Sequence, residues 1–312
     1  RQGFAPGLRE YLRRTAGDWD VVHLHSGRDA LGLAASAVAP RRLVFTPLAP
    51  IGRLLGWPYG HVVRGVLERA GHTVSLSESE AGLIRSFFPV VADRVLAVPP
   101  GVDVAALDAA SPLTFPGDVV LTGGRLERCE RLKRTIAAMA TLDRPFRLVI
   151  IGGGPAARRL ARYADDLRVS DRVCFTGVIA TPVLHRWLRT ARVLVTLSEL
   201  EPSGLHALEA LSAGASVVAS DVPVHREVAS STAGAAVRLV DADCSPLQLA
   251  DAIASAAETR VPPAAIPAAE ALVEPLLALY RSIAGRGHLQ SANGHAPTRH
   301  AAADAVGAAQ AR

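Results

Sequence analysis

Short runs of branched apolar residues alternate with amphipathic helical stretches along most of this chain, and few folds accept that order. Asp20–His25, Arg42–Thr46, Thr73–Ser77 and Arg94–Val98 read as buried strands, with helical patterns at Leu31–Val38, Tyr59–Ala70 and Glu78–Phe88. A softer stretch, Asp103–Gly117, follows Pro99-Pro100-Gly101 and reads as a linker. The pattern then restarts, with strands at Val119–Thr122, Arg147–Ile151, Val173–Thr176, Val193–Leu197 and Ser216–Ala219. The helices between them are Leu132–Thr141, Ala156–Leu167, Pro182–Thr190, Gly204–Ala213 and Val224–Ala229. Strands alternating with helices imply parallel sheets covered on both faces by right-handed crossovers. The expected fold class is therefore α/β, with two Rossmann-like domains facing a cleft and ligands held where loops leave the strand C-termini. The expected units are an N-terminal domain over 1–110, a second domain over 111–260, closing helices over 261–285 and a disordered tail over 286–312.

Composition narrows the function classes. With 312 residues, 49% hydrophobic and 20% charged, the chain has material for two globular domains. No uncharged apolar run reaches the roughly 18 residues of a spanning helix. The net charge is +5, but residues 1–110 carry twelve arginines against ten acids, a thin excess without the basic, aromatic-interleaved stripe of a nucleic-acid binder. No nucleic-acid partner is expected. Cys129, Cys174 and Cys244 are odd in number and lack a C-x-x-C pair, which argues against disulfides or a thiolate metal site and for a reducing cytoplasm. The chain opens at Arg1 and its only methionine is Met139, so further residues are expected upstream.

The most informative segment is Ser198-Glu199-Leu200-Glu201-Pro202-Ser203-Gly204-Leu205-His206-Ala207-Leu208-Glu209. Glu201 falls in the loop after a strand and Glu209 within the following helix. Eight helical residues rise about 12 Å, and less where part is loop. Two carboxylates so placed can hold opposite ends of a nucleotide sugar, with its diphosphate at the helix N-terminus between them. The plainer alternative is an acid beside the helix dipole and a solvated helix glutamate. A glycosidase needs its carboxylates about 5 Å apart for retention, or about 6.5–9.5 Å for inversion, which this spacing exceeds.

Around this segment stand Gly123-Gly124-Arg125-Leu126, a basic cluster of Arg125, Arg128, Arg131, Lys133 and Arg134, the loop Gly152-Gly153-Gly154-Pro155 and the turn Phe175-Thr176-Gly177-Val178. The triple glycine lacks the third position of G-x-G-x-x-G, so a dinucleotide oxidoreductase is disfavoured. In this order and spacing the chain resembles the family 4 retaining glycosyltransferases, which have the two-domain GT-B fold. The likeness runs from about Asp20 to Gly285 and is densest from Gly123 to Glu227.

The resemblance implies that Arg125 and a cation a few residues on clamp the donor diphosphate. Glu130 stands where the family has lysine, leaving Arg131, or Lys133 one turn beyond, to replace it; Lys133 is the only lysine in the chain. Glu201 matches a glutamate at the donor sugar, Gly204 and Leu205 match residues whose N–H groups meet the distal phosphate, and Glu209 matches the ribose-binding glutamate. Ser203 replaces the family's usual phenylalanine. Gly124 is implied to be donor-binding, and the Phe175–Val178 turn, where Gly177 lets backbone approach closely, resembles the wall of the base pocket, with an ordinary strand-to-helix turn as the plainer alternative. In the first half His25 matches an acceptor-side contact, although a strand-end histidine is also an ordinary cap or packing residue. Leu48 stands where relatives often carry histidine, and the family's Gly-rich first loop should precede Arg1. The stretch Ile51–Ala70, with Arg53, Trp57, Tyr59, His61, Arg64 and Arg69, suits an anionic membrane surface or a core-packed helix.

The implied activity moves a hexose from a UDP- or GDP-hexose donor to a glycan or lipid acceptor with retention of configuration. No cofactor and no metal are expected, because side-chain cations serve the diphosphate. The enzyme is expected in the cytoplasm, with peripheral contact on the inner face of the membrane in view. The alternative is a nucleotide-sugar-binding module of the same fold whose chemistry is impaired by Glu130 and Leu48.

Overall fold

The computed structural model describes residues 7–291, except 27–30, 57–59, 128–129, 143–144, 200, 233–236, 259–262, 264–265 and 267–268. The first lobe contains α1 (Leu8–Thr15), β1 (Val22–Ser26), α2 (Leu31–Val38), β2 (Leu43–Pro47), α3 (Ile51–Leu54), α4 (Gly60–Arg69), β3 (His72–Ser75), α5 (Glu78–Phe87) and β4 (Val95–Ala97). Its four strands are parallel, in the order β1-β2-β3-β4. The second lobe contains α6 (Val104–Ala109), β5 (Asp118–Gly123), α7 (Glu130–Met139), β6 (Phe146–Ile151), α8 (Ala157–Asp166), β7 (Val173–Gly177), α9 (Thr181–Thr190) and β8 (Ala191–Thr196). It continues with α10 (Leu205–Ser212), β9 (Ser216–Ser220), α11 (Pro223–Ser231), β10 (Val237–Val240) and α12 (Pro246–Glu258). A last helix, α13 (Ala269–Ser291), crosses back to the first lobe.

The second sheet is ordered β10-β9-β8-β5-β6-β7, all parallel. The chain winds outward from β5 to β7, returns beside β5 as β8 and winds the other way. Strand order therefore reverses between β5 and β8, where open α/β sheets bind ligands. The period of two explains why both faces are buried. Val120, Leu148, Ile150, Val193, Val195 and Val218 meet α7, α8 and α12, while Leu121, Val149, Leu194 and Val217 meet α9 and α10 on the other side.

The two-lobed α/β architecture matches the expectation, and two local readings are corrected. The stretch expected as a linker contains α6, whose start is capped by Asp103 Oδ1 accepting from Ala106 N at 2.9 Å. Leu107 of this helix is buried in the second lobe's core, so the stretch packs on that lobe rather than spanning freely. At the other end α13 runs to Ser291, so 286–291 are helical; the rest of the expected tail lies outside the described residues. Of the two readings of Ile51–Ala70, the core-packed one holds: the apolar side chains Ile51, Leu54, Val63, Val66 and Leu67 are in the first lobe's core. Trp57 and Tyr59 lie outside the described residues. Among the described residues no helix is long and apolar enough to cross a membrane.

Candidate functional site

At the reversal point Thr122 Oγ1 donates to Val195 O at 2.8 Å, tying the end of β5 to β8. Beyond it the loops after β5, β6 and β7 interlock through backbone bonds: Gly124 N to Ile151 O at 2.9 Å and Gly152 N to Gly177 O at 2.9 Å. Only glycine fits at 152, where φ is +120° and an added Cβ would stand 2.0 Å from Gly124 O. A cavity of about 190 Å³ opens above this floor. Leu121, Ile151, Ile179, Leu184, Leu188 and Leu194 make its apolar depth, and Thr122, Gly124, Val178, Thr196, His206 and Glu209 its mouth and walls. Val178 is 84% exposed and stands at the lip as an apolar flap beside Gly177.

The helix α10 sets His206 and Glu209 three residues apart on one face, both on the cavity. Burial raises the pKa of Glu209, opposed by the charges of His206 and His185. Sequence reasoning missed both histidines. The three-residue spacing to Glu209 was a usable signal for His206, whereas His185 comes from α9 by tertiary packing alone.

The loop into α10 differs from the expectation. Glu201 Oε1 accepts from Ser203 N at 3.1 Å, Ser203 Oγ at 2.9 Å and Gly204 N at 3.0 Å, and Leu205 N donates to Ser203 Oγ at 3.4 Å. The N–H groups of Gly204 and Leu205, expected for a phosphate, are thus satisfied inside the loop, with a carboxylate where an anion was foreseen. Gly204 itself is left-handed at φ +68°, and an added Cβ would meet Val228 Cγ2 at 2.7 Å, so the loop lies directly on α11.

The cations divide. Arg125 follows Gly124 at the cavity mouth with a side chain 79% exposed, 3.6 Å from Glu127. Arg131 reaches the loop after β8, donating to Leu197 O at 2.5 Å and pairing with Glu199, so it braces that loop. Lys133 lies with its ammonium 5.5 Å from the Tyr163 ring centroid on α8, a cation–π contact, and like Arg125 and Arg131 it is not part of the cavity lining. The Glu130 side chain lies outside the described residues.

His25 is not on the cavity. It is exposed on β1, with its ring stacked 4.1 Å from that of His23. His23 is the more constrained of the two, bonded through Nε2 to Thr46 Oγ1 at 2.8 Å and through Nδ1 to the Tyr280 hydroxyl of α13. Burial, with His25 adding to it, lowers its pKa from the usual 6.5 to about 4. Leu48, 49% exposed, marks the end of β2. The lobes also meet through Glu227 of α11, whose carboxylate accepts from Glu78 N at 3.0 Å and Ser79 N at 2.7 Å at the start of α5. Among the described residues no group of His, Cys, Asp and Glu is arranged to hold a metal ion.

Residues 110–270 match the family model described as glycosyl transferases group 1, and residues 1–106 match that of glycosyltransferase family 4. The D-inositol 3-phosphate glycosyltransferase 1 of Catenulispora acidiphila is 30% identical over 251 residues, covering 68% of this chain and 58% of that protein. The D-inositol 3-phosphate glycosyltransferase of Acidothermus cellulolyticus is 33% identical over 248 residues, covering 69% and 55%. The match therefore spans less than two thirds of these curated relatives. Among solved structures, sucrose-phosphate synthase from Thermosynechococcus elongatus superposes with a TM-score of 0.71 at 20% identity, covering 90% of this chain and 78% of that one. The Anabaena protein HepE, solved with UDP and glucose, gives 0.64 at 16% identity, covering 91% and 83%. These structures share the GT-B fold with the chain.

Proposed function

Because the chain belongs to the group 1 glycosyl transferases, we propose that its β5–β8 cavity binds a nucleotide-activated hexose and that the hexose passes to an acceptor hydroxyl with retention of configuration. The observation that carries this reading is the cavity itself: an apolar lining, a carboxylate at Glu209 for ribose hydroxyls, and the glycines Gly123, Gly124 and Gly152 on its wall. Glu209 as a carboxylate accepts two hydroxyl bonds. Arg125 and Arg131, with the positive end of α10, stabilise charge on the leaving diphosphate. The bond from the anomeric carbon to the diphosphate breaks, the acceptor oxygen bonds from the same face, and its proton passes to the leaving phosphate oxygen. The protein then acts chiefly by position and electrostatics. The acceptor is a glycan, a lipid or, following the names of the curated relatives, an inositol phosphate.

A second reading, a binding module with impaired chemistry, draws on Glu201 holding its own loop and Arg131 being engaged by Leu197 and Glu199. Titration with UDP and GDP, followed by a transfer assay with UDP-glucose or GDP-mannose and D-inositol 3-phosphate, separates the two: binding without turnover supports the module. Arg125→Ala is expected to weaken UDP or GDP binding about tenfold, the loss of one charge-assisted contact, with an unchanged circular dichroism spectrum. Parent-like affinity in that variant would place the donor elsewhere.

A further inference from the structure

Next to Ser198 and Ser220 lies a group with no role so far, His225 in the first turn of α11. It is 1% exposed. Its Nδ1 lies 2.8 Å from Ser220 O and 3.2 Å from Ser220 Oγ, and Ser220 Oγ in turn donates to Ser198 O at 2.6 Å. A carbonyl only accepts, so the ring proton is on Nδ1 and the bare Nε2 is left buried with no partner. A buried polar atom without a partner is uncommon and calls for an explanation. The nearby charge is that of Glu201.

Glu201 is itself misplaced for the donor reading, because its carboxylate occupies the N–H groups at the start of α10. We propose that His225 is the positioning residue for Glu201: a diphosphate taking the Ser203 and Gly204 N–H groups drives the Glu201 carboxylate onto His225 Nε2, which accepts one proton from solvent as the pair forms. This rests on the donor-site reading above. In the resting state Glu201 stands in for the phosphate and keeps the N–H groups satisfied. Neutral Nε2 has nothing to donate to a carboxylate, so the second position becomes favourable only with the proton. Burial holds the pKa of His225 below the usual histidine value, opposed by its bond to Ser220 and the charge of Glu201, so the ring is neutral until the carboxylate arrives. The other charged groups around it are engaged or turned out: Arg226 with Asp221, Glu227 with the first turn of α5, Glu78 of α5 with Arg85, and Arg238 of β10 exposed. The arrangement couples an empty donor site to a loop locked by Glu201, and a filled one to Glu201 held on His225.

Calorimetric titration of the whole chain with UDP, in two buffers of different ionisation enthalpy near neutral pH, counts the protons exchanged on binding. The parent is expected to take up about one proton more per UDP than either His225→Gln or Glu201→Gln. UDP's own phosphate ionisation is common to all three and drops out of the difference, and a purely structural histidine would not change the count. The two variants are independent, so one that fails to fold leaves the other to decide. Equal proton counts in the parent and a folded variant, with UDP bound, overturn this proposal alone. No binding of UDP or GDP to the parent overturns the donor-site reading, and this proposal with it.

Discussion

The Glu209 carboxylate faces an apolar cavity that withdraws water from it, and burial raises its pKa against the pull of His206 and His185. In the unfolded chain the same group ionises at its ordinary value. Between that value and the raised native one the folded state holds the extra proton, so stability falls as pH rises through the window. Ionised Glu209 therefore costs stability at neutral pH and serves binding. Glu209→Gln is expected to melt higher than the parent near neutral pH, with the gap closing in acid, and to bind UDP about tenfold more weakly. Thermal melts across pH and a UDP titration check both halves. The residue was legible from its spacing to Glu201 and from the helix pattern. Its histidine neighbours were not, because His185 arrives from an element distant in the chain.

Helix α5 shows how an element can be completed by another lobe. Its own Ser77 hydroxyl accepts from Glu80 N at 3.2 Å, the half of a capping box visible in Ser77-Glu78-Ser79-Glu80. The Glu80 side chain does not return to Ser77; it is buried and accepts from Ile51 N, tying α5 to α3. The N–H groups of Glu78 and Ser79 go instead to Glu227, well over a hundred residues away. Glu227→Ala removes both acceptors and is expected to destabilise the chain by about 1–2 kcal/mol, the range of a lost helix cap. Urea denaturation measures that loss, and faster amide exchange at Glu78 and Ser79 than in the parent locates it. Unchanged exchange there would show that water replaces the carboxylate without consequence. Helix α6 makes the complementary point: Asp103 is a readable N-cap, but the short helix was obscured by the surrounding polar and proline residues.

Across the whole molecule the lobes are held by the chain at Val98–Val102, by Glu227 and by α13, whose Leu276, Leu279, Tyr280 and Ile283 cover Val44 and Val74 on the first sheet. Tyr280 meets His23 there, and burial keeps that histidine neutral down to about 4. Between the usual 6.5 and that value the unfolded chain binds the proton and the native state does not. The stability present above the window is therefore lost as pH falls through it. His23→Gln is expected to shrink the drop in melting midpoint between about pH 7.5 and about pH 4.5. An identical drop in parent and variant would assign the acid sensitivity to other groups.

Local chemistry determined a good deal by itself. The alternation of strand and helix, and hence two parallel sheets, was readable because burial on both faces demands continuous branched apolar runs at regular spacing. The glycine loops and the Glu201-to-Glu209 segment were readable because backbone approach and helix starts need particular residues at particular offsets. Tertiary structure alone decided where charged side chains point. Lys133 turned to Tyr163, Arg131 to the β8 loop and Glu201 to its own N–H groups, since a long or acidic side chain takes the nearest partner that packing supplies. It also decided that a distant helix would cover the first sheet, because a sheet face left open to water must be closed by whichever apolar stripe the chain can bring to it.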